Sequence, residues 1–235
     1  MWIMRGFLLI PLALALAWFV LSPTARAVDP PPDGGYPNFT TAEGTDALFS
    51  LTSGTGNTGI GFDALLRNTT GSFNTANGFS ALFNNTTGSY NTATGDNALS
   101  SNTTASNNTA SGADALESNT TGGANTAVGF EAVHTNSTGA DNTGVGNLAL
   151  EANLTGNRNV AIGSNALSSN QTGGDNTATG VNALAANTAD YNTATGYQAL
   201  ESNTTGSNNT AHGLDALNTN TTGSLQYGQR CVCAL

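Results

Sequence analysis

The chain has 235 residues with a formal net charge of −10, 38% hydrophobic residues, only 9% charged residues and no lysine. Beyond residue 27 it carries three arginines against all 15 acids, a net charge of −12, and Leu, Ile, Val and Phe make up about 16% of that part. This lies below the roughly 20% at which a charged chain is ordinarily disordered, so a conventional globular core is excluded. Nucleic-acid binding is excluded too, because neutralising phosphates needs clustered basic residues and Arg67, Arg158 and Arg230 are scattered.

The first segment reads as an export signal: Arg5 precedes an apolar run over 6–21, and Ala25-Arg26-Ala27 then supplies a small-x-small cleavage pattern. Cleavage is expected after Ala27, with residues 1–27 removed. The run is shorter than the ~20 residues that span a bilayer, so no membrane span is expected in the mature chain. Residues 28–39 form a Pro- and Gly-rich leader with no expected structure of its own.

From Thr40 a repeat of 17 residues takes over. One unit reads Asn91-Thr92-Ala93-Thr94-Gly95-Asp96-Asn97-Ala98-Leu99, then Ser100-Ser101-Asn102-Thr103-Thr104-Ala105-Ser106-Asn107. Eleven units span 40–225, with a single one-residue deletion before Asn192, and an incomplete twelfth with a Cys-containing tail occupies 226–235. Each unit has Gly in its fifth place and Ala in its eighth; Leu follows that Ala, with Val133 the only substitute.

Apolar residues at helical spacing are missing, and Gly, Asn and Thr are abundant, so the unit is expected to form short strands separated by turns. Asn-Thr-Ala-x-Gly is read as one strand, Ala-Leu-x-x-Asn as a second and Thr-Thr-Gly-Ser as the closing turn. Stacked coils pair each backbone group with the coil above and below, which explains why proline is absent beyond Pro37. The fold class is therefore an all-β parallel β-solenoid of about eleven coils, roughly 50 Å long at ~4.8 Å per coil, with Leu and Ala columns as a thin interior.

Asn159-Val160-Ala161-Ile162-Gly163-Ser164-Asn165-Ala166 and Asn125-Thr126-Ala127-Val128-Gly129-Phe130-Glu131-Ala132 resemble the head repeats of YadA-like trimeric autotransporter adhesins, with their Ser-Val-Ala-Ile-Gly-x-x-Ala units. The resemblance covers Thr40 to about Leu225. It implies a left-handed β-roll, a homotrimer and display at a bacterial cell surface for adhesion, outer-membrane associated or extracellular. It also implies that the Val and Ile places face inward, taking Thr92 and its equivalents with them. The chain departs from the family in its longer unit and in Thr replacing Val, and residues 226–235 are not expected to form a neck, stalk or membrane barrel.

No catalytic, cofactor-binding or metal-ligating residues are expected. His134 and His212 lie five coils apart, too far to share a substrate within one chain, and the connections are too short to build a pocket. The seventh place stacks Asp46, Asp63, Asp114, Glu131 and Asp215 with Asn97, Asn165 and Asn182, which reads as a solvated polar face more readily than as a cation column. Sequons such as Asn68, Asn102 and Asn203 are by-products of the repeat. Cys231 and Cys233 are compatible with an interchain disulfide.

The expected function is an adhesin-like rod that binds an unidentified surface or matrix ligand. Its candidate binding surface is the sixth-place column of Phe62, Phe79, Phe130 and Tyr197, which offers aromatic area at low entropic cost. The alternatives are an ice-binding solenoid using its Thr columns and a passive spacer of an extracellular fibre.

Overall fold

The computed structural model describes residues 37–229. The cleavage residues Ala25 and Ala27, most of the leader, and Cys231 and Cys233 lie outside the described residues. Twelve three-residue strands follow one another: β1 Thr41–Glu43, β2 Thr58–Ile60, β3 Thr75–Asn77, β4 Thr92–Thr94, β5 Thr109–Ser111, β6 Thr126–Val128, β7 Thr143–Val145, β8 Val160–Ile162, β9 Thr177–Thr179, β10 Thr193–Thr195, β11 Thr210–His212 and β12 Tyr227–Gln229. They form one parallel sheet in chain order, each strand in register with its equivalent one unit away. This is the expected β-solenoid, with one strand per coil at the second to fourth places of the unit.

The second expected strand does not form; residues from the sixth to the eleventh place make turns. The reason is visible in burial. Ala64 and Leu65, like Ala98 and Leu99, are neighbours in sequence and both wholly buried, whereas successive side chains of a strand point to opposite faces. The backbone reaches this by taking the left-handed conformation at the seventh and ninth places, as at Asp63 (φ 58°) and Leu65 (φ 55°). Left-handed geometry disfavours a leucine by about 1–2 kcal/mol, a cost comparable to what its burial contributes. Coil-to-coil hydrogen bonds persist through the turn: Leu65 N–H donates to the Ala81 carbonyl at 3.0 Å and Arg67 N–H to the Phe83 carbonyl at 3.1 Å.

The fifth-place glycine is required for two independent reasons. Its φ lies between 111° and 147° in every unit, and a Cβ at Gly95 would overlap the carbonyl oxygen of Gly112 in the next coil.

The interior contains the expected Ala and Leu columns, but also two columns of buried asparagine that sequence reasoning missed. Asn57, Asn74, Asn91 and their first-place equivalents are buried, as are Asn68, Asn85, Asn102 and the twelfth-place series. Within one coil both side chains clasp the same turn carbonyl: Asn74 Nδ2 and Asn85 Nδ2 donate to Gly88 O at 2.8 and 2.9 Å. Each also bonds to the neighbouring coil, Asn85 Nδ2 to Asn68 Oδ1 at 2.9 Å and Asn74 N–H to Asn57 Oδ1 at 3.0 Å. Amide ladders, broken between Asn170 and Asn187, thus take the place of apolar volume, because a buried amide finds its partner one coil away.

The shortened unit is accommodated in its closing turn, and β9 and β10 stay in register across a 16-residue offset. Asn187 Nδ2 there turns to Ala189 O, two residues on, and leaves Asn170 Oδ1 buried without a hydrogen-bond partner.

Candidate binding face

The strand and its flanks alternate strictly. In the third coil Phe73, Thr75, Asn77 and Phe79 are exposed while Asn74 and Ala76 are buried. The expectation that the second and fourth places face inward is therefore overturned. Thr92 and Thr109 lie outside and Ala93 and Ala110 inside, because a three-residue strand directs only its central side chain into so narrow a coil.

Four outward columns result, at the seventeenth, second, fourth and sixth places, and together they form one face running along the rod. In-register pairing aligns Thr58, Thr75, Thr92, Thr109, Thr126 and Thr143 in the second-place column. The fourth place varies among Ile60, Asn77, Thr94, Ser111, Val128 and Ile162. Between β2 and β10 neither column carries a charge, although the chain is acidic; Glu43 and His212 mark the two ends.

The sixth-place residues Phe62, Phe79, Phe130 and Tyr197 stand on one edge of this face, all about half exposed. Only the first two meet, stacked with ring centroids 5.3 Å apart. Phe130 and Tyr197 stand three and seven coils beyond Phe79. A second stack, Phe73 with Tyr90 at 5.2 Å, occupies the seventeenth place on the opposite edge. Stacking along the axis turns the ring faces toward each other and the ring edges outward. The same seventeenth-place column holds a charged pair in which Arg158 Nε and Nη2 donate to the two carboxylate oxygens of Asp175, each at 2.7 Å. This hydrogen bonding holds Asp175 below the ordinary carboxylate range and raises Arg158.

The seventh-place acids have a backbone explanation. Asp46, Asp63, Asn97, Asp114, Asn165, Asn182 and Asp215 all have positive φ, the conformation that Asp and Asn tolerate best among residues with a side chain. Asp63 is pushed above the ordinary value by partial burial and then by the nearby charge of Asp46. Among the described residues no group of three or more metal-ligating side chains gathers.

His134 is half buried, its Nε2 2.6 Å from Glu117 Oε2, while His212 is exposed on β11. The sequon residues Asn68, Asn102 and Asn203 are wholly buried, so a glycan on any of them is incompatible with the folded coil. An open depression of about 470 Å³ is lined by Gln198, Glu201, Asp215 and Asn218, where Glu201 accepts hydrogen bonds from Gln198 and Asn218.

Compared with protein-family models, with curated proteins and with solved structures, the chain finds no match.

Proposed function

We propose that the chain is an exported, non-catalytic, adhesin-like rod in which three copies pack through their strand faces to form an attachment element at the cell surface. The observation that carries this reading is the distribution of exposed apolar side chains. Among the described residues, all the large ones except Phe39, Phe49 and Leu154 fall on the strand face, its two edges or β12. They gather in two stretches of this face, from Ile60 to Tyr90 and from Val128 to Leu225, and apolar side chains gathered on one face mark an interaction surface. An uncharged central strip also lets two acidic copies approach without like-charge repulsion. Export draws on the apolar run 6–21 and the Ala25-Arg26-Ala27 pattern, and adhesion on the resemblance carried by residues 159–166.

Light scattering on the secreted chain tests the assembly, with a mass of three chains expected and a monomeric mass at micromolar concentration rejecting it. Retention on matrix-coated or cell-coated surfaces tests adhesion. A trimer that retains no ligand would instead be the passive spacer of an extracellular fibre.

Ice binding is the second reading, favoured by the outward second-place Thr column in register on a parallel sheet. The fourth place breaks that regularity with Asn77, Val128 and Ile162, so thermal hysteresis is expected to be absent. Hysteresis in the parent chain would reverse the preference.

A further inference from the structure

We infer that the tenth and eleventh places of the first three coils form a separate binding site that takes an acidic peptide segment: Arg67 grips a carboxylate of the peptide, and Phe49 and Leu66 take an apolar side chain two residues away. The inference builds on the adhesion reading above, to which it gives a ligand class. It is independent of the number of copies, because these places lie outside the strand face.

The two arginines among the described residues are used differently. Arg158 spends Nε and Nη2 on the carboxylate of Asp175 one coil away. Arg67 donates only from its Nη1, to Asn84 Oδ1 at 2.9 Å, and its guanidinium carbon lies over the Phe83 ring, 5.0 Å from the centroid. Among the described residues it forms no ion pair. The amide and the ring, both from the next coil, hold the guanidinium in place on an exposed side chain, while the Nε and Nη2 donors that Arg158 uses make no hydrogen bond within the described residues. A planar fork already held in place loses little entropy on meeting a carboxylate and matches it bidentately.

The surroundings suit such a ligand. No acid occurs between Asp63 and Asp96, although the chain carries 15. The tenth-place column is apolar in the first three coils, with Phe49, Leu66 and Phe83, and then becomes polar and charged with Ser100, Glu117, His134 and Glu151. Coil-to-coil bonds keep the two columns in register: Ser50 N–H donates to Leu66 O and Asn84 N–H to Ser100 O, each at 3.0 Å. Phe49 is 76% exposed and Leu66 half-buried. A cation beside apolar side chains, in an acid-free zone of an acidic rod, is complementary to a carboxylate carried next to an apolar group.

The spacing favours a peptide. Phe49 lies one coil and one residue from Arg67, on the order of 6 Å between their backbones. In an extended peptide, side chains two residues apart share a face at about 7 Å. A Leu or Phe can therefore meet Phe49 while a Glu two residues on meets Arg67.

Isothermal titration calorimetry on the secreted chain tests the site with the peptide acetyl-Leu-Ser-Glu-Ser-Leu-amide and a twin carrying Gln for Glu. The Glu peptide is expected to bind, and binding should weaken about fivefold or more in the Gln twin, in Arg67→Gln and in Phe49→Ser. Arg67→Lys keeps the charge but loses the fork, and should fall between Arg67→Gln and the parent. Arg158→Gln should bind as the parent does. Because Arg67 and Phe49 are exposed, the melting curves of their variants should match that of the parent. The site is overturned if the Glu peptide does not bind, if the Gln twin or Arg67→Gln binds equally well, or if Arg158→Gln weakens binding as much. An oligosaccharide of uronic acids bound as tightly as the peptide overturns the choice of a peptide. Retention on coated surfaces separates the site from the adhesion reading. A parent and an Arg67→Gln variant retained equally overturn the site as the adhesive contact and leave adhesion standing, whereas a parent that binds the peptide but is retained on no surface overturns adhesion and leaves the site.

Discussion

Asparagine does in this interior what aliphatic side chains do in most others. Asn102 donates to Asn85 Oδ1 at 2.8 Å and to Ala105 O at 3.0 Å, and accepts from Asn119 at 2.9 Å. Asn102→Ala strips Asn85 Oδ1 of its donor and leaves a void, so a loss of about 3 kcal/mol is expected in denaturant titration. Gly95→Ala should cost at least as much, from an added side chain at φ 135° and from its overlap with Gly112. Asp63 has the opposite sign. Its folded pKa is raised, so ionisation of this group disfavours the fold at neutral pH, and protonation removes the penalty as pH falls through the folded pKa. Asp63→Asn, which suits the left-handed backbone, should therefore melt higher than the parent at pH 7. The difference should shrink toward pH values near 3.8, the ordinary carboxylate value, in paired melting curves.

The coil is the element that stability is built from, because each strand contacts only its two neighbours in the sheet. Deleting residues 108–124 restores every ladder one coil shorter and should leave a folded rod. Deleting 108–115 sets Leu columns against turns and should not. Equal melting temperatures for the two deletions would contradict this. The short coil provides a finer test: a Thr inserted between Thr188 and Ala189 restores the 17-residue unit and lets Asn187 reach the buried Asn170 Oδ1. About 1–2 kcal/mol and a few degrees in melting temperature should be gained, as differential scanning calorimetry would register.

For the whole molecule, the outward position of the second place changes what a charge there does. Thr109→Lys with Thr126→Lys adds two cations to the uncharged strip while leaving the coil interior untouched. The far-UV circular dichroism of the rod should persist while the mass by light scattering falls to one chain. Loss of the β-signal itself would mean that these side chains are packed inside the coil.

Much of this molecule was legible in the repeat. The 17-residue period, the strand at Asn-Thr-Ala-x-Gly and the Ala98-Leu99 type of core pair follow from local patterning, because every coil repeats the same problem and its solution must recur in register. The fifth-place glycine was visible as a constant, but its cause, a positive φ against the next coil's carbonyl, appears only when coils are stacked. Tertiary structure alone decided the rest. Asparagine in a polar, turn-rich unit reads as surface, and only stacking supplies the identical amide one coil away that makes its burial favourable. A two-residue alternation could not place Ala64 and Leu65 on the same side, since the left-handed turns that do so depend on coil-to-coil hydrogen bonds. The direction of Thr92, expected inward, was decided by the fold as well, because a polar β-branched residue suits either face of a strand until the width of the coil admits only alanine beside it.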